Sequence, residues 1–362
     1  MRLIVGASFQ IYLFGCSYIT NVVSIDMNSY FIVSTGLQLI NSVELIFSSA
    51  NEYFDKNRKI LIISTFKKRN RKEVISLLKL YNWDQIIYIP KFCFSDNPSL
   101  FSYITILLEL LCFRFCYNRE KYSTVSGYVN NPLFRYLVFK LKNGSFFLID
   151  DGSSTLNFSN LSPFSTFKSF KNKLVYHILG ISYFDIPNCG TFFTAYPEAI
   201  RLSNFHIVRN SYSYIMKNCK YSFNNSIYFI GDTHVEKGYL TLDNYIEILN
   251  LVKFHFYYLN FFYVARIGES KKKILVIERN FEVITNDYPF EIFLLQSKVL
   301  PHSLVTFHSS ALYNSNMLFG SLFSYYYIKL PIFTNEVHWT SLKIVWEQFS
   351  QFAKCLNFNN FS

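Results

Sequence analysis

At 362 residues the chain is long enough for two domains of ordinary size, and with 51% hydrophobic against 16% charged residues it can bury a large core, which excludes a disordered polypeptide. Its 35 Lys and Arg against 24 Asp and Glu leave a net charge of +11, which suits an anionic substrate, an anionic membrane surface or nucleic acid. No DNA- or RNA-binding signature accompanies that charge, which argues against nucleic acid, and seven cysteines with no CxxC pair argue against a disulfide framework and for a reducing compartment.

The first segment, residues 1–28, stands apart. Its stretch "LIVGASFQIYLFGCSYITNVVSI" (3–25) carries no charge and is long enough to cross a bilayer. The Ser, Gln, Thr and Asn within it make it weak as a spanning helix, so it reads either as a signal-anchor or as sequence upstream of a start at Met27. From there the pattern becomes regular. "SYFIVST" (29–35), "KILIIST" (59–65) and "QIIYIP" (85–90) predict strands, with helices at 36–54 and 71–82 between them. The basic run "KKRNRK" (67–72) reads as a solvated loop. A capped helix is predicted at 95–115, then a short strand at 123–126, a helix at 131–142 and the strand "SFFLID" at 145–150.

Residues 153–220 are less regular and polar-aromatic, as expected of an acceptor-facing or linking region. A second alternating series follows. Strands are expected at 226–232, 261–266, 303–309 and 324–330, with helices at 242–256, 289–297, 310–321 and a closing one around 338–355. Strands alternating with helices predict parallel, doubly wound sheets. The expectation is an α/β chain of two Rossmann-like domains, 29–220 and 221–362, with an interdomain cleft: the GT-B architecture.

Several signatures are missing. "STGLQL" follows the first strand where a GxGxxG fingerprint would stand, and there is no Walker loop, no HExxH and no zinc-spaced His/Cys cluster. Two short elements carry more. In "LIDDG", Asp150 and Asp151 sit together at a strand end before Gly152. The plain reading is an Asp-rich turn; the chemical one is a desolvated carboxylate beside another, able to accept a proton, with Gly152 letting a substrate approach the backbone. In "LVTFHSSAL" (304–312), Ser309 and Ser310 fall where a strand ends and a helix begins. That is an ordinary Ser cap or an anion site built from hydroxyls and unpaired backbone amides.

With "FIVSTGLQLINSVE", "SGYVNNPLFRYL", "LIDDGSS", "IGDTHVEKGYLT", "YVARIGESKKK" and "LPHSLVTFHSSAL" in that order over about residues 30–330, the chain resembles glycosyltransferase family 52, the bacterial lipooligosaccharide sialyltransferases. The resemblance implies an inverting, metal-independent transfer of sialic acid from CMP-sialic acid, with no other cofactor, to a terminal sugar of a surface lipooligosaccharide or capsule. It makes Asp151 the general base beside Asp150, puts the CMP phosphate on Ser309 and Ser310, and brings Glu291 to the ribose. Glu236, with Asp232 and His234, is a rival for the base. Where relatives carry a His against the leaving phosphate, this sequence has Arg266, which can neutralise a phosphate but cannot give up a proton. His308 or His302 is then the candidate acid, or CMP leaves without one. The implied partners are a nucleotide-sugar donor and a glycan or glycolipid acceptor, with peripheral contact at the cytoplasmic face of the inner membrane; a homodimer stays open. A different donor, or a catalytically degraded glycan-binding relative, are the alternatives that the Arg266 departure leaves.

Overall fold

The computed structural model describes residues 28–48, 52–64, 68–89, 122–127, 145–150, 190–198, 205–329 and 336–358, with Phe134, Leu137 and Val138 besides. The hydrophobic segment 1–27 and the helix predicted at 95–115 lie outside the described residues. Of the helix predicted at 131–142, Phe134, Leu137 and Val138 are helical and buried at the i, i+3, i+4 spacing of one face. No described helix is long and apolar enough to cross a membrane.

The first sheet has seven strands: β1 (Asn28–Val33), β2 (Arg58–Ser64), β3 (Gln85–Ile89), β4 (Tyr122–Ser126), β5 (Phe146–Ile149), β6 (Gly190–Thr194) and β7 (Phe205–Arg209). They run in the order β3-β2-β1-β4-β5-β6-β7, every neighbouring pair parallel. Strands covered on both faces are continuous apolar runs, and β1 and β5 are buried at every position. Helix α1 (Gly36–Phe47) starts directly after β1. Thr35 caps it by accepting from the Gln38 amide at 3.3 Å, while the Gln38 side chain reaches back to the Ser34 amide at 2.7 Å, a reciprocal cap. Helix α2 (Lys68–Leu77) turns Glu73, Val74 and Leu77 inward, so the part of the basic run from Lys68 on is helical rather than a loop, with Arg71 and Lys72 on its exposed side. A short α3 (Ser213–Asn218) follows β7, its first amides held by Glu44 of α1.

The second sheet contains β9 (Ser226–Ile230), β10 (Asn260–Val264), β11 (Glu282–Ile284), β13 (Ser303–Thr306), β14 (Ser324–Ile328) and β15 (Lys354–Leu356), ordered β11-β10-β9-β13-β14-β15 and all parallel. Two-residue strands β8 (Ser222–Phe223) and β12 (Val299–Leu300) pair separately. The crossovers are α4 (Leu242–His255), α5 (Lys271–Ile277), α6 (Phe290–Gln296), α7 (Ser310–Phe319) and α8 (Glu336–Phe349). Both sheets share the 3-2-1-4-5-6 doubly wound order, whose direction reverses between β1 and β4 and again between β9 and β13. Ligands of such sheets settle outside the strands' carboxyl ends at that reversal.

Three expectations need correcting. The stretch read as irregular contains β6, β7 and α3. The closing helix stops at Phe349, and β15 occupies the residues assigned to its end. Helix α5 and strand β11 fall between "YVAR" and Pro289, where none was expected. These elements are short or at sheet edges, where periodicity has too few residues to register.

The two sheets' layers meet through specific bonds. Arg69 Nε donates to the Asp287 carbonyl at 3.1 Å, Gln296 Nε2 to Ser76 Oγ at 2.6 Å, and the Tyr196 hydroxyl to Asn314 Oδ1 at 2.9 Å. Tyr196 also stacks on Tyr313, with ring centroids 5.4 Å apart.

Candidate active site

The reversal between β9 and β13 opens into a cleft of about 290 Å³. Its wall includes Ile230 at the end of β9, Val264 to Ile267 after β10, and Asn286, Tyr288 and Glu291 before and at the start of α6. Ser309 and Ser310 at the head of α7 complete it, with Arg69 reaching in from α2 of the other sheet's layer. Four residues singled out in the sequence, Arg266, Glu291, Ser309 and Ser310, therefore share one cavity.

Each is positioned by local structure. Ser309 is the N-cap of α7: its hydroxyl accepts from the Ala311 amide at 3.3 Å, and its own amide donates to Thr306 Oγ1 at 3.4 Å. Ser309 is buried and Ser310, one step into the helix, is exposed, so a hydroxyl and the positive end of a ten-residue helix face the cleft together. Arg266 sits in a turn that Gly268 makes possible at φ 102. Its amide donates to Glu269 Oε1, and that carboxyl also takes the Tyr263 hydroxyl and the Lys273 ammonium, the latter at 3.0 Å. Glu269 thus clamps the turn, and the exposed Arg266 side chain projects from it. Glu291 is buried and accepts from Asn314 Nδ2. Burial pushes its carboxyl above the ordinary 4.5, with the Asn314 bond, its own backbone amide and the Arg266 charge pulling the other way. Two cations, a helix N-terminus and an acceptor carboxylate in one cavity suit a phosphate with a hydroxyl-bearing sugar beside it.

The remaining candidates lie elsewhere. Asp150 is buried at the end of β5 with both oxygens engaged, one by Thr194 Oγ1 at 2.7 Å and one by the Ala195 amide at 2.6 Å, while its carbonyl accepts from Asn41 at 3.0 Å. It fixes the turn after β6, and among the described residues it is not part of the cleft wall. Asp151 and Gly152 lie outside the described residues. Glu236 accepts from the Ser270 amide at 2.7 Å and lies 3.9 Å from Lys273 Nζ, holding the start of α5. His308 precedes Ser309 but turns towards His234, with ring centroids 4.4 Å apart. Asp232 and His234 are buried and bonded to each other, Nδ1 to Oδ1 at 2.7 Å. Burial opposes the Asp232 charge, yet the His234 hydrogen bond and the His234 and Lys273 charges hold its carboxyl below the ordinary range. His302 precedes β13, at the opposite end of the strand from the cleft, which removes it as an acid for a group bound there.

Arg69, Asn314, Asn286 and Tyr288 were not anticipated. Arg69 belongs to the run "KKRNRK", whose density of charge pointed to solvent. Its approach to a residue 218 positions away leaves no local signal.

No protein-family model and no curated protein matches the chain. Among solved structures it is similar to a putative UDP-N-acetylglucosamine 2-epimerase from Listeria monocytogenes, at 8% identity over 85% of this chain and 80% of that one, with a TM-score of 0.53. It is also similar to a UDP-N-acetylglucosamine 2-epimerase at 9% identity, over 85% of this chain and 80% of that one, with a TM-score of 0.50. At such identities the shared property is the fold: two Rossmann-like domains in the GT-B arrangement.

Proposed function

We propose that this chain is a GT-B glycosyltransferase that takes its sugar from a nucleotide-sugar donor. One observation carries the reading: Arg69, Arg266, Ser309, Ser310 and Glu291 converge on a single cleft at the strand-order reversal of the second sheet. Paired guanidinium N–H donors and the α7 terminus suit a phosphate; the buried Glu291 carboxyl suits ribose hydroxyls.

The resemblance to family 52 makes the donor CMP-sialic acid and the acceptor a terminal sugar of a bacterial surface glycan. In this reading Asp151, one residue past the end-of-strand Asp150, takes the proton from the acceptor hydroxyl as its oxygen attacks the anomeric carbon with inversion. The bond from that carbon to the phosphate oxygen breaks, and CMP leaves carrying both electrons of the bond. Arg266, Arg69 and the α7 terminus neutralise the charge that develops, so a good leaving group departs with no acid and no metal. The net charge of +11 suits peripheral contact with anionic lipid at the cytoplasmic face of the inner membrane, where a glycolipid acceptor is held.

The test is incubation with CMP-sialic acid and a galactose-terminated acceptor, followed by mass analysis. An acceptor heavier by one sialyl unit is expected. Melting temperatures with CMP, UDP and GDP separate the donors. A shift with UDP and none with CMP favours a second reading, a uridine-linked sugar, to which the names of the two similar epimerases point. CMP binding without transfer across a broad acceptor panel would indicate a glycan-binding relative instead.

A further inference from the structure

Behind the cleft, the same reversal of strand order assembles a second group of side chains. Asp232 and His234 follow β9 and His308 follows β13. One carboxylate oxygen and one ring nitrogen from each histidine lie within 4.8 Å of one another. Asp232 is fully buried; its Oδ1 accepts from the His234 amide at 2.8 Å and from His234 Nδ1 at 2.7 Å. Its Oδ2 is also buried and, among the described residues, has no hydrogen-bond donor. A desolvated carboxylate oxygen of that kind calls for a cation or a donor. His234 Nδ1 and Asp232 Oδ1 approach to 2.7 Å, so both donor atoms converge on one point, where an ion can take the place of the proton they share. Phe307 and Tyr239 flank His234 at ring distances of 5.5 and 5.9 Å, so two aromatic rings pack beside the imidazole.

Lys273 is the charged side chain beside this group. Lys273 Nζ donates to the Asp232 carbonyl at 2.6 Å and lies 3.0 Å from Glu269 and 3.9 Å from Glu236. Two carboxylates, those of Glu269 and Glu236, therefore flank this ammonium, and its bond to Asp232 is to the backbone carbonyl, which leaves the Asp232 carboxylate to the two histidines.

We propose that Asp232, His234 and His308 bind a divalent first-row transition ion, for which two imidazoles and one carboxylate are the ligand set that suits Zn²⁺. Ligand bonds of about 2.0–2.2 Å set tetrahedral ligand atoms roughly 3.4 Å apart, so side-chain rotations of about an ångström draw the three atoms onto the ion. The fourth position is left for water. The ion ties the loop after β9 to the loop after β13 and so steadies the His308–Ser309–Ser310 turn from behind. It stands apart from the phosphate-binding wall of the cleft and takes no part in the transfer proposed above. The site can therefore be tested whether or not that reading holds.

The experiment uses tag-free, chelator-dialysed full-length protein titrated with Zn²⁺ alone and with Co²⁺ alone. One equivalent per chain is expected, with a visible Co²⁺ absorption band and a melting temperature that rises with added ion. His308→Ala changes a half-buried side chain; with its folding verified by circular dichroism, it should lose the band and at least tenfold in affinity. His302→Ala, at the far end of β13, should change neither. His234→Ala removes a side chain from a packed interior, so it is read only alongside the His308 variant. Absence of stoichiometric binding in the wild type overturns the proposal, and so does binding that folded His308→Ala leaves unaltered.

Discussion

Glu291 shows how one side chain can couple the cleft to pH. Its carboxyl is raised above 4.5 chiefly by burial. The folded chain therefore keeps this proton to higher pH than the unfolded chain does. The linked stability is present below the unfolded value and is lost as pH rises through the folded one. Glu291→Gln keeps the shape and removes the titration. Its melting temperature should fall less steeply than that of the wild type as pH rises above 4.5, while its affinity for the nucleotide decreases. Parallel melting curves would show that Glu291 does not titrate in this range. A second prediction concerns Asp151. Asp151→Asn should lower transfer by roughly 10²–10⁴-fold, the contribution of a general base, with CMP still raising the melting temperature as in the wild type. Turnover equal to wild type would remove Asp151 from the mechanism and return attention to the loop after β9.

Helix α7 separates two roles that adjacent serines play. Ser309→Ala removes the cap hydroxyl that accepts from the Ala311 amide, and should cost about 1 kcal/mol in denaturant unfolding. Ser310→Ala alters an exposed side chain; it should leave unfolding within about 0.5 kcal/mol of wild type and weaken nucleotide binding. Equal losses of stability in both variants would refute the division. Gly231 makes a further prediction at the end of β9. A Cβ there would collide with Glu269 Oε1 and the Tyr263 hydroxyl. Glu269 holds the Arg266 turn, so Gly231→Ala should cost about 1–3 kcal/mol and displace the arginine, and an unchanged melting temperature would contradict that. Much of this was legible beforehand. β1 and β9 each carry a run of four apolar residues, Tyr30–Val33 and Ile227–Ile230, and Thr35, Thr241 and Ser309 mark helix starts by their hydroxyls. The positions of Ser309 and Ser310 followed from a strand end and a helix start, whereas Arg266 was singled out by the resemblance to family 52. What stayed hidden was short or long-range. Helix α5 lies behind three lysines, β15 has three residues, and the engagement of Asp150 depends on Thr194, which is 44 positions away.

At the scale of the molecule, the cleft is completed by a residue from the other sheet's layer. Arg69 lines a cavity otherwise built on the second sheet, and its Nε bonds the Asp287 carbonyl. Two further bonds join the layers nearby, Gln296 to Ser76 and Tyr196 to Asn314, and Asn314 in turn holds Glu291. Loss of Arg69 alone therefore leaves two of these three described bonds in place while removing one of the two cations lining the cleft. If the donor phosphate binds between Arg69 and Arg266, Arg69→Ala should weaken nucleotide binding by roughly tenfold or more, given about 1.5–3 kcal/mol for a hydrogen bond to a charged group. The slope of affinity against salt should become shallower, because one cation fewer meets the phosphate. The melting temperature without nucleotide should move little. Tyr196→Phe gives the contrast: it deletes an interdomain hydrogen bond without removing a charge, so any loss of affinity should leave the salt slope as it was. Calorimetric titration of both variants at two ionic strengths decides the matter. If Arg69→Ala binds nucleotide as tightly as wild type at both, the arginine is a strut between the layers and the phosphate is held by the second sheet's residues alone.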